Sequence, residues 1–128
     1  MSKDWYQDLV DFHEQIVLDN FPKQPYIPDK QRKLLRGELI IEEIREILDA
    51  IDKDDLVKIA DGIADSIVVL LGTAVTYGID MRPVWDEVHK SNMGKKGGRL
   101  REDGKLLKPK GWKPPEIEKE IRRQQSAN

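Results

Sequence analysis

Between Ile59 and Ile79 the sequence DGIADSIVVLLGTAVTYGI carries only two charges, Asp61 and Asp65. A helix that is apolar around its whole circumference has no face to show to water, so it is read as the buried element around which the others pack. Its uncharged run, SIVVLLGTAVTYGI, is too short to span a bilayer. The two aspartates lie one turn apart on one side of this helix. Isolated carboxylates in such a place cost several kcal/mol unless they are paired or bound to a metal.

The remaining elements follow from periodicity and punctuation. Trp5, Leu9, Phe12 and Ile16 recur at spacings of four and three, which predicts an amphipathic helix over residues 3 to 20, ended by the prolines of FPKQPYIP. Asp29 is placed to cap a second helix reaching about Ile51. After DKDD the apolar helix runs from about Leu56 to Tyr77, with Gly78 as its stop. Asp80 opens a short fourth helix, MRPVWDEVHKSN. From Gly94 to Pro115 the chain is rich in glycine, proline and basic residues, with a tight turn expected at Asp103-Gly104. Pro115 then suits the first turn of an exposed final helix. The expected architecture is all-α: a single domain over residues 1–128, its bundle of four to five helices over about 3–93, a basic loop or hairpin over 94–115 and a C-terminal helix over 116–125. At 128 residues a partner subunit has room to complete the core.

The second helix contains the stretch GELIIEEIREILDAI. Glu38, Asp49, Glu42, Glu46 and Glu43 fall within an arc of about 140° at 100° per residue. Like charges so close destabilise a helix, and Leu35 and Leu39 inside the same arc argue that another element covers it. Two acidic faces on neighbouring helices point to a divalent cation between them. Hard oxygen ligands, with no cysteine in the chain and no histidine nearby, favour Mg²⁺ or Mn²⁺ over zinc. A solvated acidic face stays open as the alternative, as do ion pairs from Arg36, Arg45 or Lys58.

The formal net charge is only -2, which by itself gives no sign of a nucleic-acid or membrane protein. The distribution is polarised: residues 89–113 hold nine Lys or Arg against Glu102 and Asp103, a net +7, which leaves -9 elsewhere. Asn92, Lys95, Lys96, Arg99, Lys105, Lys108 and Lys110, set among glycines, suit a polyphosphate held beside a metal. A solvated tail or a nucleic-acid contact fits the same composition. The P-loop spacing, HExxH and GxSxG are all missing, and without cysteine neither disulfides nor thiol catalysis arise. A charged N-terminus and the lack of cysteine fit a cytoplasmic protein. His13 and His89 each stand alone and are read as structural. Trp112, Tyr26 and Trp5 can stack on a base, though each is read first as core packing or loop anchoring.

Taken together, EEIRE (Glu42, Glu43, Glu46), DGIADSIVVLLGTAVTYGID, VHKSNMGK and DGKLLKPKGWKPP resemble the MazG-like all-α nucleoside triphosphate pyrophosphohydrolases, which are related to phosphoribosyl-ATP pyrophosphohydrolase. The resemblance covers about residues 30 to 116. It implies a helical homodimer or homotetramer that uses Mg²⁺, with Mn²⁺ as a substitute, to cleave an NTP or dNTP between the α and β phosphates. By this resemblance Glu42, Glu43 and Glu46 match EExxE, and Asp65 matches the end of the later ExxD. Glu42 or Glu43 would serve as general base. Asn92 and Lys95 match the family's phosphate contacts, joined here by Lys96, Arg99, Lys105 and Lys108. Gly62 stands where the family has the Glu of ExxD, and Asp61, one residue earlier, is the candidate substitute. The implied partner is a nucleotide, with neither membrane nor nucleic acid. The alternatives are phosphoribosyl-ATP or a damaged nucleotide as substrate, or a catalytically inactive nucleotide- or nucleic-acid-binding module.

Overall fold

Three of the helices begin at an aspartate whose carboxylate caps the first turn. A computed structural model, which describes residues 3–127, shows Asp4 Oδ1 accepting from Gln7 N at 3.0 Å, Asp29 Oδ1 from Arg32 N at 2.8 Å and Asp55 Oδ1 from Lys58 N at 3.1 Å. Each bond satisfies one of the amides that a helix leaves free at its start. These caps open α1 (Trp5–Phe12), α2 (Lys30–Asp52) and α3 (Leu56–Thr76). Two more helices follow, α4 (Met81–Met93) and α5 (Ile117–Ser126), and the described residues form no strand beyond one isolated Leu100–Leu106 bridge. The fold is all-α, as the periodicity predicts. It divides into two compact units between Asp80 and Met81, so α4 groups with the C-terminal segment.

In the first unit α2 and α3 form an antiparallel pair, and α1 packs on α3. The direction is set by three meetings along the seam: Ile47 with Gly62, Glu43 with Asp65, and Arg36 with Val69 and Thr73. Gly78 stops α3 in the left-handed region at φ 69°, which a side chain adopts only with strain. Its place is tight as well, since an added Cβ would lie 2.3 Å from Gln24 O.

Two expectations are corrected. The first helix does not run to residue 20: it ends at Phe12 and passes into a π-helical turn, His13–Val17, closed by Leu18 N donating to His13 O at 2.8 Å. The wider turn ends at Leu18, whose φ of 56° breaks the helix, and His13 lies buried in edge contact with Phe12 and Phe21. Asp19, just beyond, accepts from Arg32 Nη2 at 2.8 Å and Nε at 3.1 Å, which ties the connection to α2.

The second correction concerns α3. Its 21 residues, with a mean hydropathy of 1.6, are long and apolar enough to cross a membrane by length and composition, although the uncharged run alone is not. Nor is the helix buried all round, because only 28% of that stretch is covered within the chain. The covered part is chiefly the C-terminal end, where Gly72, Ala74, Val75 and Thr76 are buried. Leu56, Val57, Ile63, Val68 and Leu70 stay exposed.

In the second unit α4 packs against α5, and Glu116 N donates to Glu87 Oε2 at 3.3 Å. The basic segment between them closes as a small hairpin. Leu107 N donates to Arg99 O and Arg101 N to Lys105 O, both at 2.7 Å, around a turn in which Gly104 has φ 91°. A Cβ at Gly98 would stand 2.0 Å from Leu107 O, so only glycine lets the two arms meet.

Candidate functional site

The carboxylates of α2 divide between two faces. Glu42 and Glu46 are exposed and line an open cavity of about 450 Å³ with Glu38, Ile41 and Arg45. Glu43 instead turns into the seam with α3, where it is half-buried and its Oε2 is buried without a hydrogen-bond partner. A buried acceptor left unmatched costs on the order of 1–3 kcal/mol, so its survival in a native site calls for an explanation. Desolvation pushes the Glu43 carboxyl above the usual carboxylate range, and the charges of Glu46, Asp65 and Glu42 push it further. Glu43 therefore stands at the α2–α3 seam within the field of three further carboxylates, its α2 neighbours Glu42 and Glu46 and, from α3, Asp65.

Asp61 is not part of this group. It is exposed, and its charge is not among those that act on Glu43. Ion pairs do not relieve the cluster either. Among the described residues none of Glu42, Glu43, Glu46, Asp61 and Asp65 is paired with a cation. Arg36, two turns before Glu43 on the same face, spends its guanidinium elsewhere: Nη2 donates to Val69 O at 2.8 Å and Nε to Thr73 Oγ1 at 3.1 Å. These bonds staple α2 to α3 at the register that brings Asp65 to Glu43. Arg36, a candidate ion-pair partner by sequence, thus serves as a staple between helices, and its place seven residues before Glu43 is the one sequence signal of that role.

Gly62, the departure from ExxD, has a packing reason. It is buried, and an added Cβ would lie 3.2 Å from Ile47 Cβ and 3.4 Å from Ile47 Cα. A side chain here would meet the Ile47 side chain, which would have to give by a few tenths of an ångström, so glycine suits the close approach of the two helices. Its carbonyl accepts from Ser66 Oγ at 2.7 Å.

The donor set fits a hard divalent cation in chemistry, since it offers carboxylate oxygens only, one of them an orphan. As the side chains lie, no group of three or more Asp, Glu or His among the described residues is arranged to hold one ion.

His13 is structural, as expected: it is only 5% exposed, and burial together with the nearby Arg36 charge lowers its pKa. His89 is exposed on α4. The remaining candidates lie in the second unit. Asn92 lies in the last turn of α4, and it is exposed along with Lys96, Arg99, Lys105 and Lys108, whereas Lys95 is half-buried. Trp112 anchors the loop, its Nε1 donating to Ser91 O at 2.7 Å, and Ser91 Oγ donates to Lys113 O at 3.2 Å. Beside this anchor a cavity of about 590 Å³ is lined by Glu87, Lys90, Ser91, Gly94 and Trp112 among others.

Comparison with known families gives one finding: the family described as phosphoribosyl-ATP pyrophosphohydrolase matches residues 9–92. The match runs from the second half of α1 through α2 and α3 to nearly all of α4, and so includes every carboxylate of the cluster. A search of curated proteins gives no match.

Proposed function

We propose that this chain, which belongs to the phosphoribosyl-ATP pyrophosphohydrolase family of the MazG-like superfamily, hydrolyses a nucleoside or deoxynucleoside triphosphate between its α and β phosphates. Membership carries a pyrophosphohydrolase-type activity. The observation that supports the rest of the reading is the partnerless Glu43 Oε2, set among Glu42, Glu46 and Asp65. These four residues would hold Mg²⁺, or Mn²⁺ in its place. Bound there, the cation would neutralise phosphate charge and lower the pKa of the attacking water.

The chain's own residues supply the remaining steps. Glu43, whose carboxyl desolvation and its acidic neighbours push above the usual carboxylate range, is the group assigned to accept the proton. It takes one proton from water, whose oxygen bonds to the α phosphorus as the bridge to the β phosphorus breaks. Pyrophosphate leaves with the bridging oxygen and the monophosphate remains. Glu42 orients the water from the next position on α2. Asn92, Lys95, Lys96, Arg99, Lys105 and Lys108 neutralise the phosphates by hydrogen bonds and charge. Asp61 is left outside this set because its charge is not among those that act on Glu43.

A second substrate is favoured by the family's own description, which names phosphoribosyl-ATP. Initial rates with NTPs, dNTPs and phosphoribosyl-ATP under Mg²⁺, products resolved by anion exchange, decide between them. Monophosphate and pyrophosphate from a triphosphate support the first reading. Turnover of phosphoribosyl-ATP alone replaces it, and turnover of none leaves a binding module.

The same reading places a second copy of the chain over the exposed apolar residues of α3, as a homodimer or homotetramer in the cytoplasm, with a nucleotide rather than a membrane as partner. Light scattering tests this directly: a mass of two or four chains supports it, and a monomer's mass at micromolar concentration sinks it.

A further inference from the structure

Trp112 has a neighbourhood that anchoring alone does not explain. Lys108 Nζ lies over its ring, 4.4 Å from the centroid, and Lys95 Nζ lies over the same ring at 5.9 Å. The two ammoniums are therefore no further apart than the sum of those distances, although the residues sit on opposite sides of the hairpin in sequence. Like charges gathered in this way repel unless something offsets them. The segment's own carboxylates do not. Asp103 is engaged by Arg101, through Nε at 2.8 Å and Nη2 at 2.5 Å, and neither Lys95 nor Lys108 forms an ion pair among the described residues. The ring that gathers them is itself fixed, because its Nε1 is bonded to Ser91 O at the end of α4.

Resting on the reading of this segment as phosphate-binding, we propose that Trp112 is a positioning residue. Its indole holds Lys95 and Lys108 as a pair that grips one polyphosphate chain, each lysine leaning on the ring with its remaining donors open to an oxyanion. A lysine on an indole face keeps its full charge, and the ring restricts its rotamers, so less freedom is lost when the anion binds. Phosphate oxygens then supply the offsetting charge that the chain lacks here.

The test is calorimetry of inorganic tripolyphosphate binding to the full chain at low ionic strength with a chelator present, so that neither metal nor turnover is needed. Prior ordering of two lysines, at about two- to fivefold each, predicts that Trp112→Leu weakens binding by about tenfold, with a lowered melting temperature from the lost Nε1 bond to Ser91 O. Trp112→Phe, which keeps a ring, stays within about threefold. Lys108→Gln costs about fivefold in the wild-type background and under about twofold in Trp112→Leu, since the ring no longer places the lysine. Equal cost in both backgrounds, or wild-type affinity in Trp112→Leu, overturns the inference. Should Trp112→Leu fail to fold, Trp112→Phe carries the test: a loss as large as that of Lys95→Gln/Lys108→Gln overturns it, and retention supports it. Trp112-dependent tripolyphosphate binding without any nucleotide turnover would refute the proposed reaction and leave this inference standing. Turnover combined with binding indifferent to Trp112 would refute this inference alone.

Discussion

Replacing Gly72 by alanine tests the seam that places the carboxylates. In an ordinary helix interior this change stabilises by about 1 kcal/mol, since glycine is the poorer helix former. Here the new Cβ would lie 2.7 Å from Arg36 Nη2 and 2.9 Å from His13 Nε2. His13 is only 5% exposed and has little room to retreat, so the guanidinium must move. Moving it strains or breaks the bonds to Val69 O and Thr73 Oγ1, each worth about 1.5–3 kcal/mol for a charged donor. Set against the helix gain, the net loss is about 2–5 kcal/mol, or about 8–20 °C in melting temperature for a chain of this size. Gly37→Ala is the control, on the partner helix, where nothing lies within 4 Å of an added Cβ. It gains up to about 1 kcal/mol. The assay is thermal and urea unfolding of the metal-free protein followed by circular dichroism. Shifts of the same sign in the two variants, or a Gly72→Ala chain as stable as wild type, would refute the account of the seam.

Two further predictions concern the cluster itself. The folded Glu43 carboxyl has a raised pKa, so the folded state binds its proton more tightly than the unfolded state does. Its contribution is therefore favourable below the ordinary glutamate value and is lost as pH rises through the folded pKa. In chelator, Glu43→Gln should melt above wild type at neutral pH, and the gap should close on acidification toward about pH 4; a gap that widens instead contradicts the raised pKa. Mg²⁺ at about a hundred times its dissociation constant should stabilise wild type by about 2.7 kcal/mol through mass action, and Glu46→Ala should lose that gain. An unchanged melting temperature at millimolar Mg²⁺ would reduce the cluster to a charged face.

Most helix boundaries after the first are legible in the sequence because they rest on local signals. Asp29 and Asp55 cap where an aspartate before an apolar run predicts, and Gly78 stops α3 because the chain there needs a positive φ. What the sequence does not reveal depends on neighbours. The π-helical turn at His13 comes with that ring packed against Phe12 and Phe21, a contact that periodicity cannot express. The exposure of Leu56, Val57 and Leu70 shows how far apolarity constrains burial, since it demands a cover without saying which chain supplies it. At the site the clustering of Glu42, Glu43 and Glu46 follows from helical spacing alone. That Glu43 rather than Glu42 turns inward depends on the register that Arg36 fixes. Gly62 reads from the sequence as a lost ligand, and only Ile47 at 3.2 Å gives it a packing role. Trp112 is legible as an anchor, but the two lysines on its ring are brought together by the hairpin.

The most direct test of the central claim is turnover of a triphosphate under Mg²⁺ by wild type and by Glu43→Gln, a substitution that keeps the shape of the side chain and removes its charge. The account predicts monophosphate and pyrophosphate from wild type, and a loss of at least about a hundredfold in kcat for the variant, as expected for removal of a general base. Diphosphate and orthophosphate as products, or a Glu43→Gln chain as active as wild type, would contradict it.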